Sequence, residues 1–451
     1  MKSIRKTMVV MLCIVLLMAC LGMGCSQQAA TPQTLGGSES VALEPSDTLE
    51  EPVEITFQHA GGTSPAQLEV LDEVARAFEE ENPGVKVNIM DVGWGEAHST
   101  YMNSLVAGVA PDIVMMGGTW PVEFIEMGAL APVDEYVSEE LLDSFFDSGF
   151  DAVRKEGDDH VYGIPWDGST WALFYRTDLF EEAGLDPNSP PTTWEELVEY
   201  GEKLSQNGTS GLVFPCAGWE PDDFFLPFLW QADNTIEKFE DGIWTSTLDD
   251  ENGITAAQFY YDLIHTYQIV PQEITGMDWE ACKNAFVSGD AAMMFNGMWV
   301  VNSILEGNPE LEGKWATAIS PAGPNGTLAT MGYPGTLNIS QQSEHKEIAG
   351  RFLEFFCTAN DKDYFNRYMI ATGVVGWTKD FLELDYANTT YIKPFVDSIE
   401  IGHNRPFAPK YEEFRKLYFC PGIQSLALGQ VTPEEFAKDM AEKFNQLHAV
   451  E

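Results

Sequence analysis

Positive charge is scarce in this chain. Lys and Arg number 24 against 71 Asp and Glu, a formal net charge of −47, which argues against nucleic acid and anionic headgroups as ligands. The chain should be self-repelling and monomeric, though composition alone does not separate ordinary solubility from a saline habitat. Metal-holding residues are few as well. Seven His and seven Cys in 451 residues are dispersed, with no HExxH and no close His/Cys cluster, so neither a metal site nor a cofactor is expected. Cys216, Cys282, Cys357 and Cys420 are scattered. Cys282 and Cys357 fall in helical patterns and read as buried thiols, and no disulfide is predicted.

What is present begins at the amino terminus. Lys2, Arg5 and Lys6 precede an uncharged run from Met8 to Gly24, too short for a spanning helix and followed by the polar Ser26-Gln27-Gln28. That order predicts a secretory signal over residues 1–24 and a mature protein outside the cytoplasm. Leu21-Gly22-Met23-Gly24-Cys25 resembles the lipobox of bacterial lipoproteins, which implies cleavage before Cys25 and diacylglycerol on its thiol, at the outer face of the cytoplasmic membrane. Leu17-Met18-Ala19-Cys20 has the better-placed leucine, but cleavage there would leave apolar Leu21 and Met23 at the mature end. Residues 25–52, rich in Ser, Thr, Pro, Gly and Glu and without apolar periodicity, are expected to be a flexible tether.

Beyond residue 53 the pattern becomes periodic. Val53–Gln58 alternates as a strand, and His59–Ser64 follows as a turn before Pro65. Leu68, Leu71, Val74, Ala75 and Phe78 recur at helical steps. Asn82-Pro83-Gly84 stops that helix. Val85–Met90 predicts a second strand, Ala97–Ala107 a second helix and Asp112–Met116 a nearly all-apolar third strand. This is the β-α-β-α-β order of an open, largely parallel sheet, in which ligands collect beyond the carboxyl ends of the strands. The loops His59–Ser64, Val92–Glu96 with Trp94, and Met116–Trp120 are therefore candidate ligand loops. In Met116-Gly117-Gly118-Thr119-Trp120 the glycines give a backbone room to approach a ligand, and a plain turn with a half-buried Trp120 is the alternative.

Several segments then resemble one family in the correct order. Gly108-Val109-Ala110-Pro111-Asp112-Ile113, Gly128–Asp134, Tyr162-Gly163-Ile164-Pro165, Phe174–Leu185, Pro191–Leu197 and Phe286–Trp299 are similar to bacterial extracellular solute-binding proteins of the maltose-binding type, the sugar receptors of ABC importers. Ile348–Phe356 and Gly429–Glu435 resemble its later helices. Read on their own, Thr193 is a helix N-cap followed by Glu195 and Glu196, and Tyr175, Phe180, Leu185, Met294 and Phe295 are core. Asp178 reads as a cap or turn residue.

The resemblance implies an α/β, two-lobed periplasmic-binding-protein fold (type II), with a ligand cleft between lobes joined by hinge segments. One lobe would comprise residues 53–169 and 320–373, the other 170–319 and 374–451, with crossings near Gly168–Trp171, Ser320–Gly323 and Gly373–Trp377. Together with the loop reading, it implies ligand contacts at His59, Trp94, Thr119, Trp120, Asp167, Trp171, Trp219, Glu220, Asn296, Trp299, Tyr333 and Trp377. The family's C-terminal stacking tryptophan has no clear match, with Tyr411 or Tyr418 as substitutes. A sugar offers hydroxyls at its edge and an apolar C–H face, which suits aromatics beside carboxyl and amide groups. The expected function is a lipid-anchored, non-catalytic receptor delivering a carbohydrate to permease subunits. A polyamine or another small solute on the same fold, and a cell-surface glycosidase, remain as alternatives.

Overall fold

The computed structural model describes residues 52–449 except 62–64, 156–157, 207, 219–220, 241, 359–361, 407 and 409. The signal segment, Cys25, nearly all of the tether, Trp219, Glu220 and the Tyr333 side chain lie outside the described residues.

In the first lobe β1 (Val53–Ala60) lies between β2 (Val85–Val92) and β3 (Ile113–Gly117), parallel to both. The linking helices are α1 (Pro65–Glu81) and α2 (Trp94–Ala107). α1 buries Val70, Leu71, Val74, Ala75 and Phe78 at three- and four-residue steps, the one-sided stripe a surface helix needs. α2 starts at Trp94, earlier than the expected Ala97, and stops at Gly108, whose φ of 71° is the left-handed cap that glycine adopts without strain. α3 (Trp120–Glu126) follows β3 directly.

The sheet is mixed rather than largely parallel. β4 (Ile164–Arg176) is a long strand, and β5 (Ser210–Val213) belongs to the second lobe. A two-stranded ribbon, β6 (Glu237–Glu240) with β7 (Ile243–Ser246), stands apart. β8 (Ala291–Gly297), β9 (Trp315–Ala318), β10 (Thr330–Ile339), β11 (Val375–Gly376) and β12 (Gly402–His403) complete the set. β10 inserts antiparallel between β3 and β4. The resulting order is β2-β1-β3-β10-β4-β8-β5.

β4 changes partners along its length. Its residues from Ile164 to Thr170 pair with β10, whereas Trp171–Tyr175 pair with β8 and Leu173–Arg176 with β9. The change of partner falls within Gly168–Trp171, and β11 lies against Asp167 and Gly168 at the same place. Ser320–Gly323 behaves differently from expectation: the Ala322 N–H donates to the Thr192 carbonyl, and Gly323 packs on the Gln231 backbone. That stretch packs against Thr192 and Gln231, and the chain then enters the sheet between β3 and β4 along β10. A continuous strand keeps its backbone donors and acceptors paired while it crosses, which a Gly/Pro bend would not.

β10 carries Pro334, which cannot donate to a ladder. The register shifts between Pro334 and Thr336, and the Gly335 N–H freed there donates to Asp167 Oδ1 at 2.7 Å. Elsewhere local chemistry follows the sequence: Thr193 Oγ1 accepts from Glu196 N at 3.2 Å, and Asp178 pairs with Arg176 at 2.9 and 2.8 Å. Cys216, Cys282, Cys357 and Cys420 are buried thiols outside any disulfide. No helix among the described residues is long and apolar enough to cross a membrane.

Candidate functional site

Two pairs of tryptophans stand at ends of strands in the sheet, Trp94 with Trp120 and Trp171 with Trp299. In the first lobe Trp94 opens α2 and Trp120 opens α3, so both indoles stand beyond the carboxyl ends of β2 and β3. Their rings stack at 4.9 Å and 25°, and both are half-buried. Gly117 makes room for this pair. A Cβ on it would lie 2.6 Å from Trp94 Cη2, so the glycine accommodates the protein's own indole. Thr119 precedes α3 but leaves the helix end uncapped; its hydroxyl donates instead to Glu412 Oε1 at 3.1 Å.

In the second lobe Trp171 and Trp299 meet edge to face at 5.2 Å and 85°, with Phe224 6.4 Å from Trp171. Trp171 is buried and Trp299 half-buried. Gly297 plays the part of Gly117, since a Cβ on it would come 1.9 Å from Trp299 Cζ3. Asn296 lies wholly inside: its amide donates to the Trp279 carbonyl at 3.1 Å, and its Oδ1 accepts from Gly297 N at 2.9 Å. It fixes the turn from which Trp299 projects.

Two of the expected residues sit at the crossing. Asp167 is buried against the bulge of β10, and burial pushes its carboxyl up to about 6 despite the Gly335 N–H. The Trp377 indole is buried over Gly149 and Gly168, where a Cβ on either would approach to 2.4 Å. Tyr333 lies in β10 opposite Ser169.

His59 lies inside the first lobe rather than in a loop, because β1 runs on to Ala60. Its Nδ1 stands 2.8 Å from Asp91 Oδ1 and its Nε2 2.5 Å from the Tyr368 hydroxyl, which also accepts from Gln67 at 2.7 Å. One tautomer satisfies the chain: Gln67 donates to Tyr368, Tyr368 to Nε2, and Nδ1–H to Asp91. Burial lowers the imidazole's pKa although Asp91 opposes it.

The sequence reading missed a buried ionic group beside the second pair of tryptophans. Arg405 bonds Asp222 Oδ2 at 3.0 Å and also Asp223 Oδ1; Arg415 bonds Asp222 Oδ1 at 3.0 Å and Glu412 Oε2 at 3.2 Å. Burial alone would raise Asp222, but the Arg415 and Arg405 guanidiniums hold its carboxyl below the usual range. Asp223 goes the other way: burial outweighs Arg405 and pushes it up to about 7. A usable signal existed. Two consecutive carboxylates ahead of Phe224-Phe225 would be costly to bury unpaired, and a chain with so few cations had to supply arginines for them.

Between these groups lies a cavity of about 20 Å³, lined by Trp171, Asp223, Phe224, Phe228, Gln231 and Phe295 among others. It has room for one water-sized group. Chemically the region offers flat apolar faces beside polar edges. No group of three or more His, Cys, Asp or Glu among the described residues could hold a metal.

Comparison with known proteins agrees with this architecture. The sequence pattern of the family described as bacterial extracellular solute-binding protein matches residues 61–363. A binding protein of Brucella abortus (strain 2308) is 28% identical over 412 residues, covering 91% of this chain and 96% of that one. An arabinooligosaccharide-binding protein of Halalkalibacterium halodurans is 26% identical over 315 residues, 68% of each chain. The solved structure of maltose-bound MalE3 from T. maritima superposes with a TM-score of 0.76 at 25% identity, covering 88% of this chain and 100% of that chain.

Proposed function

The chain belongs to the bacterial extracellular solute-binding protein family, and from that premise we propose that it captures a saccharide outside the cell and passes it, chemically unchanged, to the permease of an ABC importer. The observation that carries this reading is the presence of two tryptophan pairs at strand ends, Trp94 with Trp120 and Trp171 with Trp299, and we assign them to opposite lobes facing one cleft. Indole faces suit the C–H face of a sugar, and the polar groups at their edges suit its hydroxyls. Relatives named for arabinooligosaccharide and a neighbour solved with maltose favour a saccharide over a polyamine.

Closure around the ligand is the working step. A ligand touching both lobes stabilises the closed form by its differential affinity, and that form is presented to the permease. Micromolar affinity needs about 8 kcal/mol, within reach of two or three stacked rings and several hydrogen bonds. Trp219 and Glu220 would add contacts from the second lobe, and Thr119, Asp167, Asn296, Tyr333 and Trp377 would line or support the cleft. The lobes are assigned as in the sequence reading, with β10 as the second crossing. A diacylglycerol on Cys25 and the tether to residue 52 would hold a monomer at the outer face of the membrane, two acyl chains being what stable anchoring requires.

Calorimetric titration of the mature protein with maltotriose, arabinotriose, cellotriose and spermidine, with chromatography of the mixtures afterwards, tests the proposal. Saturable binding of a saccharide with no cleavage product is expected. Product formation would make the protein a glycosidase, and a response to spermidine alone would make it a polyamine receptor.

A further inference from the structure

The sheet is narrowest where β4 and β10 meet. Ser169 and Thr170 of β4 pair with Tyr333 and Gly332 of β10, and among the described residues none of the four pairs with any other strand. On one side of these two rungs β3 joins β10 from Gly335, and β11 joins β4 at Asp167 and Gly168. On the other side β12 joins β10 at Thr330 and Met331, and β8 joins β4 from Trp171. A ribbon of two strands twists more than strands with neighbours on both edges, so relative movement of the two sides of the sheet concentrates in this neck.

Asp167 stands at the edge of the neck. The register shifts there between Pro334 and Thr336, and the Gly335 N–H donates to Asp167 Oδ1 at 2.7 Å. The fit leaves no slack, since a Cβ on Gly335 would come 1.9 Å from that oxygen. Asp167 is 8% exposed, and burial acts on its carboxyl against the N–H groups of Gly335 and of Asp167 itself. β10 and β11 contain no charged residue, and the other charge of β4, Arg176, lies at its far end. Tyr368, on the helix Tyr364–Thr372, is the titratable group that feels the Asp167 charge, which helps to raise its hydroxyl. A carboxylate buried without a cation beside it draws water when it ionises. We propose that Asp167 makes the neck a pH-sensitive hinge: neutral, its carboxyl keeps the bulge between β4 and β10 closed and the two sides of the sheet set as described; ionised, it admits water to the bulge and lets the neck twist. Burial raises this carboxyl to about 6, so the hinge stiffens in acid surroundings and loosens in neutral ones.

Amide exchange of the mature protein, read by mass spectrometry on peptides that span Gly332–Leu337, tests this together with small-angle scattering, each at pH 5 and pH 8 on wild type and Asp167→Asn. Corrected for the chemical exchange rate, wild-type protection in those peptides should fall about 10-fold between the two, the effect on a local opening of a carboxyl moved from 3.8 to about 6. The radius of gyration should rise over the same interval. Asp167→Asn keeps an oxygen for the Gly335 N–H and carries no charge, so its protection should hold and its radius should rise less. Wild-type protection that does not change with pH would overturn the proposal without any variant. So would Asp167→Asn, folded by circular dichroism, whose exchange and radius respond to pH as wild type does. No saccharide enters these measurements, so the receptor function stands or falls separately.

Discussion

Thr119 and Glu412 stand 293 residues apart and share a hydrogen bond of 3.1 Å, the threonine at the carboxyl end of β3 and the glutamate in the short helix Tyr411–Phe414. In the lobe assignment proposed above, the bond joins the two lobes directly. Glu412 is fixed from behind by Arg415, which also holds Asp222, so the contact point is tied into the buried ionic group. A bond to a charged acceptor contributes about 1.5–3 kcal/mol, enough to bias the balance of open and closed forms. Thr119→Val should therefore open the unliganded protein, seen as a larger radius of gyration in small-angle scattering. A scattering curve identical to wild type would show that the bond does not hold the lobes together.

Each pair of tryptophans rests on a glycine, and this gives a second expectation. Gly117→Ala would press on Trp94, and Gly297→Ala would strike Trp299. Overpacking of this kind costs about 1–3 kcal/mol when the neighbours cannot yield, and an indole that does yield leaves its stacking position. Both variants should change tryptophan fluorescence and weaken saccharide binding by about 10-fold or more. Retained emission and affinity would mean that the glycines serve the turn alone.

Local periodicity made the first five elements of the first lobe legible, because a stripe such as Leu71, Val74 and Phe78 is fixed by the helix that carries it. β10 was not readable in the same way. Its place between β3 and β4 depends on pairings such as Leu337 with Met115, between segments far apart in the chain, and no local pattern records them. The same holds for the ionic group, where Arg405 and Arg415 reach Asp222 across 183 and 193 residues. The sequence reads His59–Ser64 as a turn, yet pairing with β2 extends β1 through Ala60 and turns the imidazole inward. The tryptophans were visible as residues, but not their partners: nothing in the sequence says that Trp94 stacks on Trp120.

The His59 chain offers a stability test. Tyr368→Phe removes the donor to His59 Nε2 and the acceptor of Gln67 Nε2 in a buried place. Leaving buried polar atoms unpaired costs about 1–3 kcal/mol each. The urea midpoint should fall accordingly, with the slope unchanged. A midpoint equal to wild type would mean that the two groups find other partners.

Asp167 gives a pH dependence whose sign is opposite to that of an ordinary salt-bridged carboxylate. Burial raises it from 3.8 to about 6 in the folded protein, so between those values the native state holds a proton that the unfolded chain has released. The stability linked to that proton is fully present below pH 3.8 and is lost as pH rises through about 6. Two units correspond to about 3 kcal/mol. Asp167→Asn keeps an oxygen for the Gly335 N–H, 2.7 Å away, and carries no charge to bury. The variant should match wild type near pH 4 and exceed it by about 1–3 kcal/mol at pH 8, measured by urea unfolding at both values. If the difference between the two proteins is the same at both pH values, the carboxyl does not titrate in this window and the bulge of β10 is held by a charged Asp167 throughout.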